Sequence, residues 1–311
     1  MNDLIPLIIL GTIAGMLVPV QTSVNSRLAS FTRSLIVASF YSFLIGSVFL
    51  LIFNLFANPG KLSPQFVFSH DISYIWFVGG IMGVIYLTGN MILLPKIGAA
   101  LTVIMTVAGQ MIIGLLIDTF GWFDAAVQPI SVYRVSGILL MIAGIIFMNY
   151  KKKKDRAAAS GSSNAWLLLG LFTGSMPPIQ TAVNSALRIE VDSFLLAAFI
   201  SFIVGTAALF LLSVLSTGNI KISGSSEKAG AIKPWHFAGG MLGAVYVTTN
   251  VILMPHLGAT LTLMTTIFGQ MLMGLLIDHF GLLGIPRQAV DMRRVIGVLM
   301  ILSGILILQL S

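Results

Sequence analysis

The sequence predicts an all-α integral membrane protein whose ten transmembrane helices form two inverted five-helix repeats. Three observations predict this fold: a scarcity of charge, ten long apolar runs and an internal repeat. Only 9% of the 311 residues are charged, whereas 57% are hydrophobic. Since a soluble domain carries about 25% charged residues, this chain has too little charge to cover a water-facing surface. The composition therefore excludes a soluble globular protein.

The apolar runs are long enough to cross a bilayer, which takes about 20 residues per helix. They show no two-residue alternation, so we expect helices rather than barrel strands. Spans 1 and 6 contain proline, and each helix is expected to continue past it, to Asn25 and Asn184 respectively. Numbered as spans 1 to 10, the runs lie at about Leu4–Val20, Leu35–Phe56, Tyr74–Leu94, Ala99–Ile117, Val135–Tyr150, Ala165–Met176, Phe194–Leu215, Phe237–Met254, Ala259–Ile277 and Val295–Leu310.

The second half of the chain repeats the first. From Gly79 to Gly121, 24 of 43 residues are identical to those 160 positions later. An offset of 159 relates the segment that begins at Pro19 to the one that begins at Pro178. A flexible linker that starts with four lysines, Lys151–Lys154, separates the copies. The predicted units are residues 1–156, which include the basic linker, and 157–311.

The odd number of spans per copy means that the second copy enters the membrane from the opposite side. Many secondary transporters use such inverted repeats around a mid-membrane site. Loops after odd-numbered spans carry 14 of the 17 Lys and Arg residues. The positive-inside rule then places these loops in the cytoplasm and both termini outside. Because the first residues lack the basic start of a signal peptide, span 1 is expected to be retained.

Spans 4 and 9 each carry a polar or small residue at every fourth position, which keeps these residues near one helix face. Such a stripe should face the bundle interior or a cavity, because hydrocarbon offers polar groups no partners. Two interpretations stay open: a substrate path touched by Gln110 and Gln270, or hydrogen bonding between closely packed helices. The stripes are Thr102, Thr106, Gln110, Gly114 and Asp118, and Thr262, Thr266, Gln270, Gly274 and Asp278.

Span 3 places Tyr86 one turn before Asn90, and span 8 repeats the pair as Tyr246 and Asn250. An aromatic face attracts cations, and an amide both donates and accepts hydrogen bonds. Such a pair can hold a small polar or cationic organic molecule. A packed tyrosine beside an amide that bonds a neighbouring backbone is the alternative.

Four more amides follow the prolines of spans 1 and 6: Gln21 and Asn25, then Gln180 and Asn184. A broken helix with polar groups beside the break is a common substrate site in transporters. Alternatively, these amides satisfy the carbonyl groups that proline leaves free or cap the helix near the membrane interface.

Asp118 and Arg134 are 16 residues apart, as are Asp278 and Arg294. Each aspartate ends a predicted helix, where the macrodipole disfavours an anion unless a cation compensates. We expect an ion pair at each place. It either pins two helices together or acts as a gate, one on each side of the membrane, and the two gates open in alternation.

Catalytic and cofactor motifs are missing from the sequence. It has no cysteine, no HExxH motif, no phosphate-binding GxxxxGK[ST] loop and no GxSxG elbow. The four histidines have no ligand spacing. We therefore expect neither an enzyme nor a cofactor or metal. The net charge of +7 reflects the Lys and Arg residues that orient the chain in the membrane, and we do not take it as evidence of nucleic-acid binding.

Each half resembles the five-helix proteins of the YdcZ-like family, within the drug/metabolite transporter superfamily, and the whole chain resembles a fused pair. The resemblance implies a bacterial inner-membrane transporter of the exporter kind and supplies no ligand. The small multidrug members of the superfamily couple protons through a span-1 glutamate, where this chain has Gln21 and Gln180. Proton coupling would therefore use Asp118 or Asp278, or be absent. The motifs that carry the resemblance are the amides of spans 1 and 6, Ser42–Gly46 and Ser201–Gly205, and the segments 98–118 and 258–278.

The sequence as a whole predicts an alternating-access transporter of a small polar or amphipathic metabolite, with a central cavity. Its predicted partners are that small molecule and the bilayer, without nucleic acid, and the monomer acts as a pseudo-dimer of fused halves. A non-transporting scaffold or receptor, or a channel, is the alternative. The predicted cavity residues are Gln21, Asn25, Tyr86, Asn90 and Gln110, with Gln180, Asn184, Tyr246, Asn250 and Gln270.

Overall fold

A computed structural model describes residues 4–63, 65–66, 69, 73–149, 164–226, 230–284, 287 and 291–310. This part of the chain is mostly helical, with short connecting segments such as 125–131 and 218–224 and a two-residue strand pair, β1 (Ser225–Ser226) and β2 (Gly230–Ala231). The lysine linker, 151–154, lies outside the described residues. The α-helices are α1 (Leu4–Thr32), α2 (Leu35–Ala57), α3 (Ile75–Phe120), α4 (Val132–Asn149), α5 (Asn164–Gly174), α6 (Met176–Glu190), α7 (Phe194–Thr217), α8 (Ala238–Phe280) and α9 (Met292–Leu308).

Seven of the described helical segments are long and apolar enough to cross a membrane. The all-helical fold of a multi-pass membrane protein therefore agrees with the composition. The count of ten spans stays a prediction.

The two proline-containing spans differ in structure. Helix α1 continues through Pro19 to Thr32, farther than predicted. In span 6 the expected continuous helix is wrong, because the chain breaks at Ser175 and a new helix begins at Met176. Pro177 and Pro178 then lie in the first turn of α6, where a missing N–H costs no helical hydrogen bond.

Single glycines interrupt the two longest helices. Gly98 divides α3 and Gly258 divides α8, with φ angles of 77° and 74°. Glycine adopts such backbone angles without a Cβ clash. Spans 3 and 4 are therefore the two parts of α3, and spans 8 and 9 are the two parts of α8.

The chain divides into two compact units that each combine segments of both sequence repeats. The predicted boundary between the repeats, at 156 and 157, lies outside the described residues and stays a prediction. Unit 1 consists of Met1–Met16, Ile85–Ile179 and Leu253–Ser311, and unit 2 consists of Leu17–Val84 and Gln180–Ile252.

In unit 1, α4 packs against α9 through glycines that touch in a reciprocal pattern. A Cβ built on Gly137 would lie 2.6 Å from the carbonyl oxygen of Gly304, and one on Gly144 would lie 2.7 Å from that of Gly297. The counterpart of Gly137 is Gly297, and the counterpart of Gly144 is Gly304. Gly137 therefore contacts the counterpart of Gly144, and Gly144 contacts the counterpart of Gly137. This reciprocity is the mark of a two-fold interface.

In unit 2, α2 packs against α7 with the same symmetry. The rings of Phe43 and Phe202 stack with their centroids 5.0 Å apart, and these residues are counterparts at an offset of 159. A Cβ on Gly46 would collide with Phe202, and one on its counterpart Gly205 would collide with Phe43. A local two-fold axis therefore passes between the two phenylalanines.

Candidate functional site

Asn184 is the most buried of the predicted site amides, with none of its surface exposed. Its Nδ2 donates to the Ser201 hydroxyl of α7 at 3.2 Å. Its Oδ1 has no hydrogen-bond donor among the described residues and lies against Gly79, where a Cβ would collide with it. The glycine thus allows the amide oxygen to reach the backbone of α3, where a weak Cα–H contact is available.

The counterpart amide, Asn25, makes the same contact with the opposite repeat. Its Oδ1 lies against Gly239 of α8, the counterpart of Gly79, and it too has no donor among the described residues. Unlike Asn184, however, Asn25 is partly exposed. The two copies therefore have equivalent neighbours but differ in burial.

The glutamines one turn earlier extend this arrangement. A Cβ on Gly83 would lie 2.8 Å from Nε2 of Gln180, and one on Gly243 would lie 2.5 Å from Nε2 of Gln21. Both glutamines are partly exposed. In unit 2, two amide side chains of each repeat therefore lie against two glycines of the other repeat.

Asn250, also in unit 2, is 3% exposed, and its Oδ1 has no hydrogen-bond partner among the described residues. Tyr246, one turn earlier, is partly buried. A buried amide oxygen without a protein donor is uncommon, since buried polar groups are generally satisfied by protein or water. Asn250 is therefore available to a polar ligand or to water.

Unit 1 holds the other predicted binding residues. Tyr86, Asn90 and Gln270 are partly buried, whereas Gln110 is 4% exposed. The unit division therefore separates Tyr86 and Asn90 from their counterparts Tyr246 and Asn250.

The threonines of the polar stripe bond mainly to their own helix. The Thr106 hydroxyl donates to the Thr102 carbonyl at 2.9 Å, and the Thr102 hydroxyl donates to the Gly98 carbonyl at 2.8 Å. Glycines pack onto the stripe: a Cβ on Gly174 would collide with the backbone of Thr106, and one on Gly15 with that of Thr266. Close helix packing therefore accounts for Thr102, Thr106 and Thr266, whereas the buried Thr262 hydroxyl has no hydrogen-bond partner among the described residues.

Asp118 and Arg134 form a buried ion pair at 2.5 Å, with 0% and 2% of their side chains exposed. Arg134 also donates to the Gln128 carbonyl at 2.9 Å. The backbone N–H of Gln128 in turn donates to the Asp118 carbonyl at 2.7 Å. These bonds fold the segment that follows α3 back onto the end of that helix.

The same carboxylate also binds the opposite repeat. Asp118 accepts hydrogen bonds from the backbone N–H groups of Ala259 at 2.6 Å and Thr260 at 2.9 Å. These are the first two N–H groups after the interruption at Gly258, where a helix N-terminus favours an anion. The sequence did not predict this contact, although the Gly258 motif and its counterpart at Gly98 were a signal for it.

The counterpart ion pair is more open. Arg294 donates to Asp278 at 2.8 Å, with 24% and 31% of the two side chains exposed. Among the described contacts Asp278 has this one partner. A Cβ on Gly98 would have no described atom within 4 Å, whereas one on Gly258 would lie 3.0 Å from Asp118. The two ion pairs, alike in sequence, therefore differ in burial and in partners.

No group of three or more His, Asp or Glu side chains able to hold a metal occurs in the part of the chain that the structure describes. The candidate site chemistry consists of amides, hydroxyls and tyrosines in both units and of the two ion pairs in unit 1.

Comparison with known proteins identifies a family and a fold. A family model, YdcZ of the drug/metabolite transporter type, described as a proposed inner membrane exporter, matches residues 6–147 and again residues 165–307. A solved structure, described only as a crystal structure of a protein, has a TM-score of 0.69 at 15% identity and covers 98% of this chain and 95% of its own. No curated protein matches the chain.

Proposed function

Since the chain belongs to the YdcZ family of the drug/metabolite transporter type, we propose that it exports a small polar or amphipathic metabolite by alternating access. The two family matches confirm the resemblance that the repeat motifs indicated. They also support a transporter of the inner membrane in general terms. The substrate class, the mechanism and the external position of both termini are part of the proposal.

Helix lengths support ten spans. One of the seven apolar segments, Pro234–Phe280, has 47 residues, about twice what one crossing requires, and Gly258 divides it. Helix α9 has 17 residues, and α5 and α6 have 11 and 15 with only Ser175 between them. The first repeat contributes five of the apolar segments, and α7 is one in the second repeat. Two crossings in α8, one in α5 together with α6 and one in α9 bring the second repeat to five as well.

The observation that carries the proposal is the unequal burial of Asn25 and Asn184. Both oxygens rest on equivalent glycines, yet Asn184 is wholly buried and Asn25 is partly exposed. Inverted repeats that open a site to one side at a time adopt unequal conformations of nearly the same sequence. In an alternating-access cycle, the two amides would exchange these environments.

The chemistry of the amides favours an uncharged polar ligand or a polar group on an amphipathic one. Each amide can donate and accept, and the oxygens of Asn25, Asn184 and Asn250 have no donor among the described residues. A ligand hydroxyl or amide group would supply the missing donor. An ionisable side chain inside a membrane costs free energy. Amide side chains can bind a polar ligand without carrying a charge and so avoid this cost.

A ligand screen followed by flux measurement tests the proposal. Purified protein is screened by thermal shift against a metabolite panel at two pH values, and each stabilising compound is then assayed for flux in liposomes. We expect Asn184→Ala and Asn250→Ala to reduce saturable flux about tenfold or more while the protein still folds. Asn149→Ala is the matched control, because the Asn149 amide donates to the Ile145 carbonyl of its own helix at 2.9 Å.

The result separates the proposal from its rivals. A scaffold or receptor would bind a ligand without flux, and a channel would show unitary currents without saturation. Wild-type protein that neither binds nor moves any compound of a broad panel would contradict the transport proposal.

A further inference from the structure

We propose that Asp118 and Asp278 are the matched halves of an exchange clamp, in which each aspartate in turn caps the interrupted helix of the opposite repeat. The proposal rests on the proposed transport function and deepens it by naming the contacts that close each side. Among the described residues, Asp118 accepts from two N–H groups of the opposite repeat and Asp278 from none, so we take the first clamp as closed and the second as open. Transport would close the second as the first releases.

The closed clamp is a complete anion site. One buried carboxylate receives two backbone N–H groups, from Ala259 and Thr260, and the guanidinium of Arg134. The hydrogen bonds to the carboxylate are charge-assisted and therefore stronger than neutral ones. They join the end of α3, in the first repeat, to the interruption of α8, in the second.

Every element of this site has a counterpart in the open clamp. The sequence matches Asp118 with Asp278, Arg134 with Arg294, and Gly258-Ala259-Thr260 with Gly98-Ala99-Ala100. Gly98 has the same unusual φ as Gly258 and so also interrupts its helix. What differs is the contact, since Asp278 has only Arg294 among the described residues and is partly exposed.

Repeat symmetry makes the exchanged state energetically accessible. If the two repeats swap conformations, Asp278 would accept from the N–H groups of Ala99 and Ala100, and Asp118 would keep only Arg134. The swapped state has the same kinds of contacts, because the residues involved are nearly the same in the two copies. Two states of similar energy, each biased by a few hydrogen bonds, are what a switching element requires.

The predicted topology assigns the clamps to opposite sides. Span 4 ends at Asp118 and span 8 at the Gly258 turn, both on the predicted external side, whereas Asp278 and the Gly98 turn share the cytoplasmic side. The structure would then correspond to a state closed outside and open inside. Closing the Asp278 clamp would produce the opposite state.

Spin-label distances test the exchange directly. Because the chain has no cysteine, Val127→Cys with His256→Cys can report the Asp118 clamp. The counterpart pair, Arg287→Cys with Lys96→Cys, can report the Asp278 clamp. The side chains at these four positions are exposed, so labels should be tolerated.

Double electron–electron resonance should show the two distances changing in opposite directions. In Asp118→Asn, we expect the 127–256 distance to lengthen and the 96–287 distance to shorten, with the population ratio shifted about tenfold or more. In Asp278→Asn, the 127–256 distance should stay short. The exposed Asp124, in the same segment as Val127, provides the control Asp124→Asn, which should change neither distance.

A second variant protects the test against misfolding. Asp118→Asn leaves the buried Arg134 without its anion, so the double substitution Asp118→Asn with Arg134→Gln removes both charges and should shift the distances in the same direction. Unchanged distances in both Asp118 variants, or parallel changes at both clamps, would overturn the proposal.

Flux separates this inference from the transport proposal. If wild-type protein transports and the clamp variants change neither distances nor flux, the exchange clamp is wrong and transport stands. If wild-type protein moves no compound while the distances still exchange, the transport proposal fails and the clamp remains a conformational switch.

Discussion

The Ser47 hydroxyl lies 3.0 Å from the Thr206 hydroxyl, which is its own counterpart 159 positions later. Thr206 also donates to the Phe202 carbonyl of its own helix at 2.8 Å, so Ser47 must be the donor between the two. A residue can touch its own counterpart only at a symmetry axis. The bond therefore marks the local two-fold relation between α2 and α7.

Removing this bond should cost stability without affecting transport. Ser47→Ala should lower the free energy of unfolding by about 0.6 kcal/mol, the usual value for hydrogen bonds between membrane helices. Thr206→Val should cost more, about 1–2 kcal/mol, because it leaves the Ser47 hydroxyl without an acceptor. Unfolding by denaturant in mixed micelles measures both. Ser39→Ala, which loses only a bond to the Leu35 carbonyl of its own helix, is the control, and an equal cost there would contradict the symmetry-axis bond.

Adding a methyl group beneath the buried amide should destabilise the protein. Gly79→Ala places a Cβ where the Asn184 oxygen lies, and overpacking of this kind costs about 1–3 kcal/mol. Gly274→Ala is the matched control, since a Cβ there meets nothing within 4 Å. Thermal unfolding of the two variants should therefore differ, with only Gly79→Ala lowering Tm. Equal Tm values for the two variants would mean that the Asn184 amide does not contact Gly79 closely.

The two ion pairs should differ in their contribution to stability. Asp118→Asn leaves a buried arginine unpaired and should lower the free energy of unfolding by about 3–5 kcal/mol. Asp278→Asn breaks a partly exposed pair and should cost about 1 kcal/mol or less. Chemical unfolding in detergent compares them. Equal costs would mean either that the two pairs do not differ in burial or that Asp118→Asn recovers the lost energy by exchanging the clamps, and the spin-label distances distinguish the two.

Membrane orientation provides a separate prediction. A phosphatase fused after Ser311 should be active, because both termini are predicted outside. In a chain without native cysteine, Val127→Cys should react with an impermeant maleimide applied from outside, whereas Ser160→Cys in the linker should not. An active C-terminal phosphatase together with an external N-terminus requires an even number of spans, as ten is. Termini on opposite sides would instead fit seven.

The sequence predicted most of the helices because they follow from apolar runs, whereas α6 begins where the sixth run ends. It also predicted ion pairs from the 16-residue spacing of Asp118 with Arg134 and of Asp278 with Arg294, and both pairs are present. The break at Ser175 was missed because a proline pair can either lie inside a kinked helix or begin a new one, and the local sequence does not decide between the two.

The difference between the repeats could not be predicted. Asp118 and Asp278 have nearly identical neighbours in sequence, so nothing local determines which carboxylate is buried. The bonds from Ala259 and Thr260 to Asp118 join residues 141 and 142 positions apart, and the tertiary packing determines which of the two aspartates makes them. Only a three-dimensional structure can report that choice.

Trans-stimulation in liposomes tests alternating access most directly. Protein is reconstituted with a labelled compound inside, and efflux is measured with and without the same unlabelled compound outside. A carrier that exposes its site to one side at a time should release the label several-fold faster when external compound is present, with saturation. Efflux that is unaffected by external compound and does not saturate would contradict alternating access and indicate a channel.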